Sequence, residues 1–204
     1  MSELTTGGII SQALSRGVKN FVAIAVNYLL WIITVWIPYL NIGTTIGLLV
    51  GVVAKSSRNE PISYTEIFNP VYRKKMGEYF LVSGFVAAGV GFGFALFFLP
   101  GVVLCIAWML APLFTVDGGL NAVDAIRRSN MVTYGKKAAI FWAMVVLGII
   151  AGVGALILGW VFGMISHVLS TLILIVYMAF SASFFVSAQG YIYETLKDAP
   201  ESAE

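Results

Sequence analysis

The sequence predicts an all-α protein, a polytopic transmembrane bundle of six helices arranged in three hairpins. The charged residues fall into short clusters, which leave residues 20–54, 79–116 and 138–193 without any Asp, Glu, Lys or Arg. The chain of 204 residues is 59% hydrophobic and only 11% charged, whereas a soluble domain carries roughly 25% charged residues. Because a charge at the centre of a bilayer costs about 3 kcal/mol, such long charge-free runs are typical of a chain in lipid.

Each charge-free run is long enough for two crossings, since one helical crossing takes about 20 residues. A turn signal lies near the middle of each run: residues 38–43, Leu99-Pro100-Gly101, and a Gly- and Ser-containing patch at 159–170. The predicted spans are therefore approximately 20–38, 42–55, 78–99, 101–116, 137–159 and 168–194. The spans and their connections use the whole length, so residues 1–204 are predicted to form a single integral membrane domain.

The basic residues predict the orientation of the chain. All 12 Lys and Arg residues precede the first span, follow the sixth, or lie between spans two and three or four and five. The three turns on the other side contain none, so the positive-inside rule places both termini in the cytoplasm. The first run is predicted to be retained, because it is longer than a signal-peptide core and no small-x-small cleavage site follows it.

Two of the connections are predicted to contain short helices. Ser63-Tyr64-Thr65-Glu66 fits a capping box in front of a short helix at 67–68. Between the fourth and fifth spans, Asn121 is a predicted N-cap of a short interfacial helix over about 121–133, with Asp124 in its first turn. The apolar face of that helix is predicted at Leu120, Val123 and Ile126, turned toward lipid or toward the bundle.

Small residues recur at four-residue spacing, which predicts close helix packing, because lipid provides no hydrophobic force that pairs helices. Homodimerisation and a pore lined by glycine backbone are the alternatives. Pro100 predicts a turn, and Pro112 predicts a kink or an early end of the fourth span, because proline lacks a backbone donor. The small-residue sets are Gly43, Gly47 and Gly51; Gly84 and Ala88; Gly89 and Gly93; Gly148 and Gly152; and Gly159 and Gly163.

The inventory of reactive groups argues against catalysis. No ionisable group is predicted deep in any span, where ion- and proton-coupled machines usually keep one. The sequence shows no Walker loop, Rossmann fingerprint, zinc motif or paired acidic motif, His167 has no neighbouring partner, and Cys105 is the single cysteine. We therefore expect a protein that is not an enzyme, with no catalytic residue, no metal and no cofactor. A net charge of +2 predicts no nucleic-acid partner.

The functional hypothesis rests on the basic cytoplasmic clusters, since each cation near anionic lipid gains about 1 kcal/mol. Ordinary topology and head-group anchoring are the simpler explanation. The sharper hypothesis is a non-enzymatic membrane module that organises anionic lipid or a protein partner, which is either a second copy or another membrane protein. The candidate residues are Arg73, Lys74, Lys75, Arg127, Arg128, Lys136 and Lys137.

A small-solute transporter or channel is the alternative function. It is favoured by the glycine-rich third helix, by Pro112 and by neutral polar residues within the spans, among them Asn27. Such groups more often bond their own or a neighbouring helix, which is the plainer interpretation. A polar path through the bundle would most simply involve the sixth span, at Ser181, Ser183 and Ser187.

Several short motifs resemble a bacterial family. Their order over residues 11–193 is similar to the YciC-like six-helix integral membrane proteins, which are related to the membrane domain of some glycerophosphoryl diester phosphodiesterases. The motifs are Pro61-Ile62-Ser63-Tyr64-Thr65-Glu66-Ile67-Phe68, Leu99-Pro100-Gly101, Ala111-Pro112, Val116-Asp117-Gly118-Gly119, and Asp124-Ala125-Ile126-Arg127-Arg128-Ser129 with Gly135.

The resemblance implies a six-helix fold in the bacterial inner membrane. It implies no catalytic residues, because the phosphodiesterase active site of that family belongs to a separate soluble domain. It also implies a distinctive cytoplasmic element at Asp117, Asp124, Arg127, Arg128 and Ser129, which we interpret as a helix cap and charge pairs that hold the fourth-to-fifth connection. The structural motif residues are thus Pro100, Gly101, Pro112, Asp117, Asp124 and Ser129.

Overall fold

A computed structural model describes residues 4–199, and within this range the protein is helical with no strand. The predicted all-α class is confirmed, and six helical segments of the described chain are long and apolar enough to cross a membrane. The helices are α1 Thr6–Thr34, α2 Pro38–Ile46, a π segment Gly47–Val52, α3 Val53–Ser57, a 3-10 turn Glu66–Phe68, α4 Pro70–Lys74, α5 Met76–Leu96, α6 Phe98–Trp108, α7 Ala111–Val116, α8 Ala122–Thr133, α9 Lys137–Gly163 and α10 His167–Leu196.

The first helix begins at Thr6, well before the predicted start at residue 20. Thr5 caps it, accepting a hydrogen bond from the Gly8 amide at 3.2 Å. The early part of α1 packs against α10 and buries Ile9 and Ala13. The helix is thus longer than the predicted span, because packing continues it through the charged residues that precede the charge-free run.

The second span is continuous from Pro38 to Ser57 but changes geometry at the π segment. Pro38 stands in its first turn, where a missing N–H costs nothing. It is the most interior of the six spans, because 67% of its most apolar stretch is buried. The π geometry is unusual in proteins and is frequently associated with functional sites.

The turn between the third and fourth spans lies at Phe97, whose backbone is extended (φ −167°, ψ 154°). The prediction that Pro100 makes this turn is therefore wrong by three positions. Pro100 lies instead in the first turn of α6, where a helix needs no N–H from it. Gly101 is buried, and the absence of a side chain there lets α6 approach Phe94 and Gly93 of α5.

The fourth span is broken next to Pro112, as predicted. Helix α6 ends at Trp108 and α7 begins at Ala111, so the backbone groups at the break lose their helical partners. Ser129 of α8 supplies the missing partner for two of these backbone groups. Its hydroxyl donates to Ala107 O at 2.7 Å and accepts from the Leu110 amide at 3.2 Å. Ser129 is fully buried, so the break in one helix is repaired by a side chain from another.

Helix α8 forms where the sequence predicts it. Asn121 is the N-cap, and its side chain accepts from the Asp124 amide at 2.9 Å. The predicted apolar face is divided, because Val123 is 65% exposed whereas Leu120 and Ile126 are partly buried against the core. The fully buried face consists of Ala125, Ser129 and other small residues. The hydroxyl contacts with α6 select the small polar face for burial, which an apolarity count does not reveal.

The small-residue pattern is confirmed as intramolecular packing for some sets only. A Cβ added at Gly43, Gly47 or Gly51 would collide with the 67–73 segment, and one at Gly89 with Trp108. Gly84, Gly148 and Gly152 have no atom within 4 Å of such a Cβ, so the prediction of close packing there is wrong. Among the predicted sets, close packing thus concentrates on the second span and on the pair α5 and α6.

Long-range contacts bring several helix ends together. Thr6 donates to Ala139 O at 3.3 Å, which joins the start of α1 to the start of α9. Arg16 of α1 pairs with Glu194 near the end of α10 at 2.6 Å. Arg128 of α8 donates to Lys197 O at 3.1 Å, beyond the end of α10. The two ends of the described chain therefore lie at the same end of the bundle.

Candidate functional site

A polar cavity of about 340 Å³ opens between the end of the second span, the connection that follows it and the end of α7. Four charged side chains line it, two basic and two acidic: Lys55, Arg58, Glu66 and Asp117. Asn69 and Tyr72 complete its polar wall. Because ionisable groups are expensive near lipid, a cavity with four of them is the leading candidate for a functional site.

Glu66 is the most buried of these charges, with a side chain only 3% exposed. Its carboxylate lies 2.7 Å from Lys55 Nζ, and it accepts a hydrogen bond from the Tyr72 hydroxyl at 2.8 Å. The predicted capping box is wrong, because Thr65 is the residue before the 3-10 turn and makes no side-chain cap. The Ser-x-x-Glu pattern exists, but its Glu turns inward to a cation that lies eleven positions earlier.

Arg58 and Asp117 form the second ion pair of the cavity. Arg58 lies 2.6 Å from Asp117 and 2.9 Å from Glu60. The other oxygen of Asp117 accepts from the Tyr193 hydroxyl at 3.3 Å. Asp117 thus links the end of α7 to α3 and α10, rather than to the basic residues of α8 that the resemblance implied.

The pKa directions of Glu66 and Arg58 favour the charged form of each side chain. Burial alone raises the pKa of Glu66, but the hydrogen bonds from Lys55 and Tyr72 outweigh it and the pKa lies below its usual range. Burial likewise lowers the pKa of Arg58, and the bonds to Asp117 and Glu60 outweigh that effect and raise it. Burial and the neighbouring Glu66 carboxylate raise the pKa of the Tyr72 phenol, which stays neutral. At neutral pH Glu66 is therefore an anion and Arg58 a cation.

Asn27 holds the connection that carries Glu66. This fully buried side chain of α1 donates to Ser63 O at 2.7 Å and accepts from the Ile67 amide at 3.1 Å. Ile67 packs directly over Gly47 of the π segment. Asn27 therefore makes structural hydrogen bonds. This is the plainer of its two predicted roles, the other being part of a polar path for a solute.

The structure divides the predicted basic residues into two groups. Arg73 lies along α2: its stem contacts Gly43, and its guanidinium lies 6.0 Å from the centre of the Tyr39 ring. Twelve positions separate Gly43 from Lys55, a rise of about 18 Å in a helix. The Arg73 side chain is therefore set apart from the ion pairs of the cavity, toward the Pro38 end of the second span.

The second group surrounds α8 and the start of α9. Arg127 is exposed, whereas Arg128 is half-buried and donates to Lys197 O and Ala199 O. Lys137 bonds Asn130 at 2.9 Å and lies 5.9 Å from the Tyr134 ring, and Lys136 is half-buried beside it. The seven residues thus do not form one continuous patch.

The serines of the sixth span are interior. Ser181, Ser183 and Ser187 are buried, and Ser183 donates to Phe180 O of its own helix at 2.7 Å. The cavity itself was missed by sequence reasoning. Glu66 offered one signal, since an acidic residue followed directly by Ile67 and Phe68 in a membrane protein is a candidate for a buried, paired carboxylate.

The described chain is an α-helical bundle with six segments apolar enough to cross a membrane and a charge-paired cavity at the end of the most interior of them. Comparison of the chain with protein-family models, curated proteins and solved structures finds no match. The resemblance to the YciC-like group therefore stays a prediction.

Proposed function

We propose that the protein is a non-enzymatic membrane module that organises anionic lipid, or an acidic membrane partner, through the basic surface of α8 and the start of α9. The outer face of α8 carries the observation that supports this role. Val123 is 65% exposed, Arg127 follows one turn later, and Tyr134 beyond the helix is 76% exposed. An apolar residue, a cation and an aromatic ring on one outward face are typical of a helix in the head-group layer.

The start of α9 supports the same function. Lys136 and Lys137 stand directly in front of the apolar run of α9, where a helix enters the hydrocarbon. Cations at this level face the phosphate groups of the lipid, and anionic lipid attracts each by about 1 kcal/mol. The α8 surface and these lysines are contiguous, because Lys137 bonds Asn130 of α8.

We test this role by titrating the detergent-purified protein with phosphatidylglycerol or phosphatidylcholine and measuring binding by thermal unfolding. Arg127→Gln with Lys137→Gln should weaken phosphatidylglycerol binding by about 2 kcal/mol, roughly 30-fold, and leave phosphatidylcholine unaffected. Lys74→Gln with Lys75→Gln is the matched control, because it removes the same charge from the other group. Equal losses in the two double variants would mean general anchoring and contradict a specific α8 surface.

The proposed topology has three hairpins with both termini in the cytoplasm of a bacterial cell. The shared location of the α1 start and the α10 end supports one side for both termini, and the positive-inside rule supports the cytoplasm. The resemblance alone supports the inner membrane. The contact of Arg73 with Tyr39 argues against this topology, because Tyr39 lies at the end of the second span opposite to Lys55. Residues 70–75 are therefore where the topology is tested.

Single cysteines in a Cys105→Ser background test this topology. With a membrane-impermeant maleimide, Asp198→Cys and Lys74→Cys should label from the cytoplasmic side, and Pro100→Cys only from the opposite side. The readout is the mass shift in sealed vesicles of known orientation. Labelling of Lys74→Cys and Pro100→Cys from the same side would contradict the three-hairpin arrangement.

Transport of a small polar solute is the second candidate function. The hydroxyls of Ser56, Thr115 and Ser187 are buried and have no hydrogen-bond partner within the described chain. Unpartnered interior hydroxyls are rare, and water or a solute is the usual partner. Flux of small polar solutes into proteoliposomes distinguishes this function from lipid organisation.

A further inference from the structure

The polar cavity beside the second span is lined by charges of both signs, and the proposed lipid contact of α8 does not involve it. A larger cavity, about 530 Å³, is an apolar groove lined by residues such as Phe21 and Leu172. The cavity of about 340 Å³ instead combines charges of both signs with apolar walls. Its ligand must therefore match separated charges as well as shape.

We propose that this cavity binds a small zwitterion, a molecule with one singly charged anionic group and one ammonium group, of which the phosphodiester glycerophosphoethanolamine is a lipid-derived example. The ligand is either the head group of a membrane lipid or the same group free in solution. The inference is independent of the α8 surface, since it concerns different residues and a different lipid charge.

The charged groups that line the cavity balance one another, which favours a ligand without net charge. The two cations and two carboxylates of the lining neutralise one another in two short pairs, Lys55 with Glu66 and Arg58 with Asp117. A ligand with net charge would add an uncompensated charge next to a carboxylate that is 3% exposed, which is costly. A zwitterion adds no net charge and places each of its groups opposite a lining group of the other sign.

The remaining hydrogen-bonding capacity fits both ends of such a molecule. Lys55 has three N–H donors, of which one serves Glu66, and Arg58 has five, of which the structure uses two. These free donors can hold a phosphate or carboxylate. Asp117 accepts one bond on each oxygen, from Arg58 and Tyr193, which leaves lone pairs for an ammonium group.

The walls of the cavity are firmly positioned. Tyr72 packs over Gly51, where a side chain would collide with its ring, and its hydroxyl is fixed on Glu66. Asn27 holds the connection on the other side through its backbone. Val50, Ala54 and Val116 supply an apolar floor, which suits the glycerol or ethyl carbons of the ligand.

Thermal unfolding of the purified full chain in detergent tests this site. Glycerophosphoethanolamine should raise the unfolding midpoint by about 3 °C at ten times its dissociation constant. Glycerol 3-phosphate, ethanolamine and glycerol, which each carry one part of the ligand, should leave it unchanged. An equal shift with glycerol 3-phosphate or with glycerol would overturn the zwitterion and indicate an anion or a polyol.

Two variants separate binding from folding. Val71 is 55% exposed at the cavity and takes no part in its ion pairs, so Val71→Trp should fill the cavity and abolish the response. Val18→Trp on α1, where the side chain is 63% exposed and outside both proposed sites, should respond like the unaltered protein. Asp117→Asn makes the lining net positive and should create a response to glycerol 3-phosphate. A response that survives in Val71→Trp, or an unchanged ligand preference in Asp117→Asn, would exclude this cavity as the site.

Thermal unfolding in lipid nanodiscs distinguishes a lipid head group from a free soluble molecule as the ligand. If the site takes a lipid head group, discs of phosphatidylethanolamine should stabilise the protein more than discs of phosphatidylcholine, and Val71→Trp should remove the difference. If it takes a free molecule, only the soluble zwitterion should have an effect. Absence of stabilisation by both sources would refute the proposal without bearing on phosphatidylglycerol binding at α8.

Discussion

Replacement of Glu66 by alanine should lower the free energy of unfolding by about 3 kcal/mol. The side chain is 3% exposed and pairs with Lys55 at 2.7 Å, so its loss leaves a partly buried ammonium group without its partner. It also removes the acceptor of the Tyr72 hydroxyl. The free energy of unfolding is measured by titrating the detergent-solubilised protein with a denaturing surfactant.

Glu60→Ala is the matched control, because Glu60 is also an acidic partner of a cation in this region. Its side chain is 45% exposed and its partner Arg58 is 37% exposed, and exposed ion pairs contribute at most about 1 kcal/mol. We expect a small change for Glu60→Ala. Equal losses for the two variants would show that burial does not set the contribution of Glu66.

The dependence on pH gives a second readout of the same contact. The pKa of Glu66 lies below its ordinary value of 4.5 in the folded protein. A lowered folded pKa adds stability that is complete above the unfolded pKa and is lost as the pH falls through the folded pKa. The unaltered protein should therefore lose stability below about pH 4.5, and this loss should be smaller in Glu66→Gln.

Gly47→Ala should destabilise the fold by about 3 kcal/mol, the upper part of the range for overpacking. The added Cβ would lie 2.7 Å from Ile67 Cα and 2.8 Å from Ile67 O. These are backbone atoms that cannot rotate away, and Asn27 holds the Ile67 amide. The same surfactant titration measures the loss.

Gly148→Ala provides the control for the substitution itself. Gly148 also lies in a membrane-spanning helix, but a Cβ there meets no atom within 4 Å. Because alanine favours a helix over glycine by about 1 kcal/mol, this variant should be neutral or slightly more stable. A Gly47→Ala protein as stable as Gly148→Ala would mean that the 61–68 connection moves freely over the π segment.

Much of the helical framework could be predicted from local signals. Charge-free runs locate the six spans, Asn121 predicts the start of α8, and Pro112 predicts the break in the fourth span. These features depend on residues close in sequence, or on the cost of charge in lipid. The first helix begins earlier than predicted, because its start depends on packing against α10 at the other end of the chain.

The candidate site could not be predicted in the same way. Arg58 and Asp117 are 59 positions apart, and Asp117 and Tyr193 are 76 apart. Glu66 has the local signature of a capping residue, and only the tertiary approach of Lys55 shows that it is an interior charge. Arg73 looked like part of a single basic surface, because charge counting does not reveal that α4 lies along α2.

The repair of the fourth span by Ser129 has a consequence for the order of synthesis. Until residue 129 has left the ribosome, the carbonyl of Ala107 and the amide of Leu110 lack the hydroxyl that joins them. Bare backbone groups are poorly tolerated in hydrocarbon. The newly made segment 98–116 is therefore expected to wait in the protein-conducting channel, or beside water, until the following connection arrives.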